Sequence, residues 1–150
     1  MKTVTVQSLP DYNYTMMIND GRHAWYADEP LDNDGNDLGP SPYELLLSAL
    51  GGCMAITALM YARRKEWPVY EISVHLSHEK VHPADCAECT DDEIANAGNA
   101  RIDVIRTSLS VRGDLTEEQR ARLLEIAGRC PVHRTLETPP KFVASISTGP

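Results

Sequence analysis

Two cysteines in contrasting surroundings are the residues most able to do chemistry. Cys53 lies in an almost uncharged stretch from Tyr43 to Ala62, directly after Gly51-Gly52, and Cys130 stands directly before Pro131. A proline suits the first position of a helix, where its missing N–H costs nothing, so Cys130 is predicted to cap a short helix. Its sulfur would then meet unpaired backbone N–H groups, which favour thiolate. Cys53 is expected to be buried, with the glycines before it letting another backbone approach the sulfur. A buried thiol has a raised pKa and needs a cation nearby to react at neutral pH. Three residues beyond Cys130, His133 can share its side of the short helix, as proton donor, thiolate partner or ordinary polar residue of a first turn.

A second group competes for attention. His78, His82, Cys86 and Cys89 have ligand types and spacings that would suit a tetrahedral zinc, with the Cys-x-x-Cys pair as the strongest part. Against a metal, His78 falls in a predicted strand, and Asp85, Glu88, Asp91 and Asp92 make the surroundings acidic, which raises thiol pKa values. A bound metal, a local redox disulfide and inert surface thiols all remain open for this segment.

The elements that must position these residues fit a single domain spanning 1–150, since 150 residues suffice for one core. A formal net charge of −8, with Arg63-Arg64-Lys65 as the one dense basic run, argues against a nucleic-acid surface. Lys2 is followed by mixed polar residues and no apolar signal core, so the expected location is cytoplasmic. Structural disulfides are rare there, and four cysteines suggest redox work or metal binding.

Val4–Ser8, Tyr12–Ile18 and Arg22–Tyr26 read as strands of an antiparallel meander, with Asn19-Asp20-Gly21 as the tight turn between the last two. Asp28–Pro40 reads as a loop, and Ser41-Pro42-Tyr43-Glu44 as a helix start with a capping box and proline in first position. The helix should end near Trp67-Pro68. Tyr43–Ala62 is long enough to cross a membrane, but Ser48, Gly51, Gly52 and Thr57 and the amphipathic strands elsewhere favour burial in a soluble protein, completed by a second subunit. Tyr70–Val81 and Ile102–Arg112 are half-buried strands, the second with a phase shift between Val104 and Ile105. His82–Ala100 is a polar excursion between them. A further helix follows the Thr116-x-x-Gln119 capping box, carries Leu123, Leu124 and Ile126, and stops near Gly128; Phe142–Ser147 reads as a last strand.

From Gly39-Pro40-Ser41-Pro42-Tyr43-Glu44-Leu45-Leu46-Leu47-Ser48-Ala49-Leu50-Gly51-Gly52-Cys53 and Arg129-Cys130-Pro131-Val132-His133-Arg134, together with the order of elements, the sequence resembles the OsmC/Ohr family of thiol peroxidases, and within it the OsmC-like branch. The resemblance implies an α+β fold in which antiparallel sheets wrap around long central helices in an intertwined homodimer. It implies reduction of organic hydroperoxides at the expense of an external thiol or dithiol, with no metal and no organic cofactor. Cys53 would be the attacking thiolate and Cys130 the resolving thiol, condensing with a Cys53 sulfenic acid into a disulfide. Arg22, after Asp20-Gly21 in the meander, matches the family's arginine, whose guanidinium would stabilise the thiolate and hydrogen-bond a peroxide oxygen.

One position departs from the family. Ohr-type members carry a glutamate directly after the proline at the helix start to hold that arginine, and here Tyr43 stands in its place. Glu44 follows, a candidate catalytic carboxylate that also suits the third helical position of the Ser41 cap. On a straight helix Glu44 and Cys53 are roughly 13 Å apart, so a carboxylate beside that sulfur would come from elsewhere. The alternative reading from another class is a small-molecule or metal-binding protein that keeps the fold and its thiols with little peroxidase turnover.

Overall fold

The computed structural model describes residues 1–138 and 140–147. Its contacts divide the chain into two compact units, Met1–Ala49 with Leu76–Arg106, and Leu50–His75 with the chain from Thr107 onward. The fold is α+β. Strands β1 (Thr5–Ser8), β2 (Met16–Asn19) and β3 (Ala24–Ala27) form one sheet, and β4 (Val69–Val81) and β5 (Ile102–Gly113) form another. The helices are α1 (Pro42–Arg64), α2 (Asp91–Ala97), α3 (Glu117–Ala127) and α4 (Pro131–Glu137).

In the first unit the meander forms as expected, β1 pairing antiparallel with β2 (Thr5 opposite Asn19) and β2 with β3 (Met16 opposite Ala27). The Asn19–Gly21 turn is built from side chains. Asn19 Oδ1 accepts from the Gly21 N–H at 2.6 Å, and Asp20 Oδ1 accepts from the N–H groups of Arg22 and His23 at 2.8 and 2.7 Å. Gly21 takes φ +88°, a conformation glycine adopts without steric cost. The second strand starts later than predicted because Asn13 is diverted to the Asp28–Pro40 loop, donating from Nδ2 to the Asp34 carbonyl at 2.9 Å. Buried Asp28 anchors that loop by accepting from Thr15 Oγ1 at 2.7 Å and the Leu38 N–H at 3.2 Å. Burial alone would raise its pKa, but these bonds and those from the Glu29 and Asn36 amides hold it below the ordinary carboxylate value.

Helix α1 starts where the sequence places it. Pro42 is its first residue, the Ser41 N–H and Oγ–H donate to Glu44 Oε2 at 2.7 and 2.8 Å, and the Glu44 N–H returns a bond to Ser41 Oγ at 3.4 Å. The excursion between β4 and β5 holds more structure than expected. A 3-10 turn at Pro83–Asp85 is capped by His82, and α2 is opened by a full capping box between Thr90 and Glu93.

In the second unit the rest of α1 buries one stripe, Leu50, Gly51, Met54, Ala58 and Ala62, and exposes Ile56 (61%) and Met60 (67%). The helix ends in a Schellman motif. Glu66 sits at φ +56°, its N–H donates to the Arg63 carbonyl at 3.1 Å, and the Trp67 N–H donates to the Ala62 carbonyl at 2.9 Å. Strand β4 begins in this unit and alternates, covering Ile72 and Val74 here and Leu76 and His78 in the first unit, where Val104 and Ile105 are both half-buried at the change of phase in β5. Helix α3 forms behind its Thr116–Gln119 capping box and buries Leu123 and Ala127 completely. Leu124, counted with the apolar set on sequence grounds, is 50% exposed.

The predicted last strand, Phe142–Ser147, is a correction: the segment has no strand pairing. Phe142, Val143 and Ile146 are 90%, 96% and 99% exposed. A strand exists through its ladder partner, and the described residues offer the segment none.

Candidate active site

The two free thiols belong to the second unit. Cys130 is the N-cap of α4, with φ −66° and ψ 151°, and its Sγ accepts from the His133 N–H at 3.4 Å. The predicted proline at the first helical position and the amide facing the sulfur are both present. Their electrostatic effect is overridden. Cys130 is completely buried, and this desolvation pushes its thiol pKa up despite the His133 and Val132 amides. The Cys53 side chain next to it pushes it up further. The two side chains therefore lie near each other, with Cys130 favoured as the protonated member.

The expected assignment of the settings is thus reversed, since Cys130 is the buried thiol and Cys53 is half-buried. No backbone closes over the glycine preceding Cys53, because a Cβ added at Gly52 would meet nothing within 4 Å. His133 does not turn its ring to the sulfur. Nδ1 donates to the Gly128 carbonyl and Nε2 lies 3.9 Å from Glu137 Oε1, so the residue serves Cys130 through its backbone.

A cavity of about 660 Å³ adjoins both thiols in sequence. Thr57, one helical turn beyond Cys53, and Pro131, directly after Cys130, line it with Met60, Arg64, Arg129 and Arg134. Its walls combine apolar surface with guanidinium groups. Arg129 is bound to Glu125, while Arg64 lies over the Tyr61 ring, 5.3 Å from its centroid. Arg122 bonds the Tyr61 hydroxyl at 3.4 Å and lowers its pKa. The sequence reading took the Cys130 motif for its thiol and histidine and missed Arg129 and Arg134, which flank it in the same motif.

The remaining candidates lie in the first unit. Arg22 is exposed in the β2–β3 turn, and its guanidinium makes no hydrogen bond or ion pair among the described residues. Glu44 is occupied by its cap, and the Ser41 amide and hydroxyl lower its pKa. Tyr43 stacks on His78, ring centroids 4.2 Å apart and planes 9° from parallel. His78 donates from Nε2 to Asp103 Oδ1 at 2.7 Å, since the carboxylate can only accept, and Lys80 Nζ holds the same oxygen at 2.7 Å. Lys80 first and His78 second keep the Asp103 pKa low. Tyr43 is thus built into an aromatic and charged cluster where the family resemblance expects a carboxylate.

Cys86 and Cys89 form a disulfide with a Cα–Cα distance of 5.4 Å. His78 is committed to Asp103, and His82 Nδ1 accepts from the Ala84 N–H at 3.2 Å. Among the described residues no group of histidines, cysteines and carboxylates is arranged to hold a metal ion. Of the three possibilities left open for this segment, the structure contains the disulfide.

A long helix carrying one thiol, a short helix capped by the other and two sheets in this order define a class of α+β proteins. Residues 34–145 match the family model described as OsmC-like protein, and the chain belongs to that family. Solved structures share its fold. The OsmC-like protein of Mycoplasma pneumoniae superposes with a TM-score of 0.69 at 18% identity, covering 93% of this chain and 89% of the other. An organic hydroperoxide resistance protein OsmC of Legionella pneumophila gives 0.62 at 12% identity over 91% and 88%. The organic hydroperoxide resistance protein OhrB of Bacillus subtilis gives 0.60 at 15% identity over 93% and 92%. No curated protein sequence matches the chain.

Proposed function

We propose that the protein reduces organic hydroperoxides through Cys53 and Cys130, as a cytoplasmic homodimer in peroxide defence. The observation that carries this reading is the pair of free thiols lying near each other in one unit, with Cys130 held protonated beside Cys53. Two structural relatives of the fold bear the name organic hydroperoxide resistance protein, which agrees with it.

In this mechanism the Cys53 thiolate attacks the distal peroxide oxygen, the O–O bond breaks, and the alkoxide leaves and takes a proton. Cys53 becomes a sulfenic acid. The Cys130 sulfur displaces its hydroxyl, which leaves as water with the Cys130 proton, and an intrachain disulfide forms. An external dithiol then returns two electrons and two protons. The apolar surface of Met60 and Thr57 suits the organic body of the peroxide. Arg22 is the activating cation in this proposal, and Glu44 acts through the helix cap that starts α1.

Stopped-flow turnover with an alkyl hydroperoxide and with hydrogen peroxide, in excess dithiol, tests the reading. The alkyl peroxide should be reduced faster and Cys53→Ser should be inactive. Equal rates for wild type and Cys53→Ser would refute it. The cavity also supports a second reading, a small-molecule-binding protein with little turnover. That reading prevails if an alkyl compound of similar size binds but no peroxide is consumed.

A further inference from the structure

The peroxide chemistry proposed above makes no use of the Cys86–Cys89 disulfide, whose surroundings suit another role. It closes a ring with a sequence separation of 3, which restricts little of the unfolded chain and so contributes little as a staple. The segment is already anchored on both sides: the Ala84 N–H donates to His82 Nδ1 before it, and the Thr90–Glu93 capping box opens α2 after it. A third tether comes from β5, where Arg106 bonds Glu88 Oε1 at 2.8 Å through Nε and also pairs with Glu79 of β4. Arg106 keeps the Glu88 pKa low, so the carboxylate between the cysteines is held as a neutralised ion pair. The two sulfurs are unequally presented: Cys86 is 7% exposed, whereas Cys89 is half-buried and follows exposed Ala87 and Glu88.

We propose that Cys86–Cys89 is a second thiol–disulfide exchange site, reduced by an external dithiol of neutral or positive charge through attack at Cys89. The donor thiolate attacks Cys89 Sγ, the Cys86–Cys89 bond breaks, and Cys86 leaves with the electron pair and takes a proton. The second donor thiolate attacks the donor's own sulfur in the mixed disulfide and releases Cys89, which is protonated in turn. Two electrons and two protons pass to the protein, and the donor becomes a disulfide. A monothiol reduces poorly because Cys86 lies beside the mixed disulfide and attacks it back. The charge preference follows from Asp85, Asp91 and Asp92, all exposed and within three residues of the pair along the chain, which repel an anionic donor over distances of about a Debye length.

The test uses Cys53→Ser/Cys130→Ser, in which Cys86 and Cys89 are the only cysteines left, so its outcome is independent of peroxidase activity. The folded protein is exposed to dithiothreitol or to glutathione without denaturant, alkylated and analysed by peptide-resolved mass spectrometry, with circular dichroism followed in parallel. The wild-type chain is measured in the same way in case the double variant folds poorly. Dithiothreitol should yield both thiols in a folded protein. Glutathione should react several-fold more slowly, with added salt narrowing the gap. Among single replacements in that background, glutathione disulfide should modify Cys89 in Cys86→Ser faster than Cys86 in Cys89→Ser. A disulfide that opens only as the protein unfolds would show a structural staple, and faster modification of Cys86 would overturn the assigned direction of attack.

Discussion

At the scale of residues, burial decides which thiol does what. Cys130 has the capping geometry that usually favours thiolate, yet its complete burial and the adjacent Cys53 sulfur keep it protonated. Cys130 should therefore alkylate slowly near pH 8 in the native protein and rapidly once unfolded, which time-resolved alkylation with mass spectrometry can measure. The consequence for stability has a definite sign. A thiol whose folded pKa lies above the unfolded value contributes stability that is fully present below the unfolded pKa and lost as pH rises through the folded one. Wild type should accordingly lose stability in alkaline solution, above about pH 9, more steeply than Cys130→Ser, as followed by urea denaturation across pH. Asp28 has the opposite sign. Its pKa is lowered in the fold, so its contribution is present above the unfolded carboxylate pKa and lost as pH falls through the folded value. Asp28→Asn should flatten the acid limb of the same curves.

At the scale of elements, what the sequence made legible was local chemistry. The Ser41–Glu44 and Thr116–Gln119 capping boxes, Pro42 and Pro131 at helix starts, and the turn at Asn19–Gly21 each involve residues a few positions apart, and each forms as read. Helix α2 was missed although Thr90 and Glu93 make the same capping box, because Asp91–Ala97 lacks apolar periodicity. The burial order of Cys53 and Cys130 was read the wrong way round because it depends on which elements cover each sulfur, not on sequence neighbours. Glu66 offers a test of the element ends. In the left-handed conformation a non-glycine residue costs about 1–2 kcal/mol, and glycine's extra freedom when unfolded returns part of that. Glu66→Gly should raise stability by about 0.5–1 kcal/mol, seen as a higher urea midpoint at unchanged slope. Leu123→Ala, at a completely buried position of α3, should lower it by about 2–5 kcal/mol.

At the scale of the whole molecule, one chain leaves apolar side chains uncovered: Ile56 and Met60 on α1, and Phe142, Val143 and Ile146 in a segment with no strand partner among the described residues. In the proposed homodimer a second copy covers them, and analytical ultracentrifugation at micromolar concentration should find a dimer. A stable folded monomer would oppose that part of the proposal. The central claim is the pairing of Cys53 with Cys130, and its most direct test is non-reducing peptide mass spectrometry after one equivalent of an alkyl hydroperoxide. The proposal predicts a new intrachain Cys53–Cys130 disulfide in wild type, and a sulfenic acid trapped at Cys53 in Cys130→Ser. Cys53 found still reduced, or linked only to Cys86 or Cys89, would contradict it.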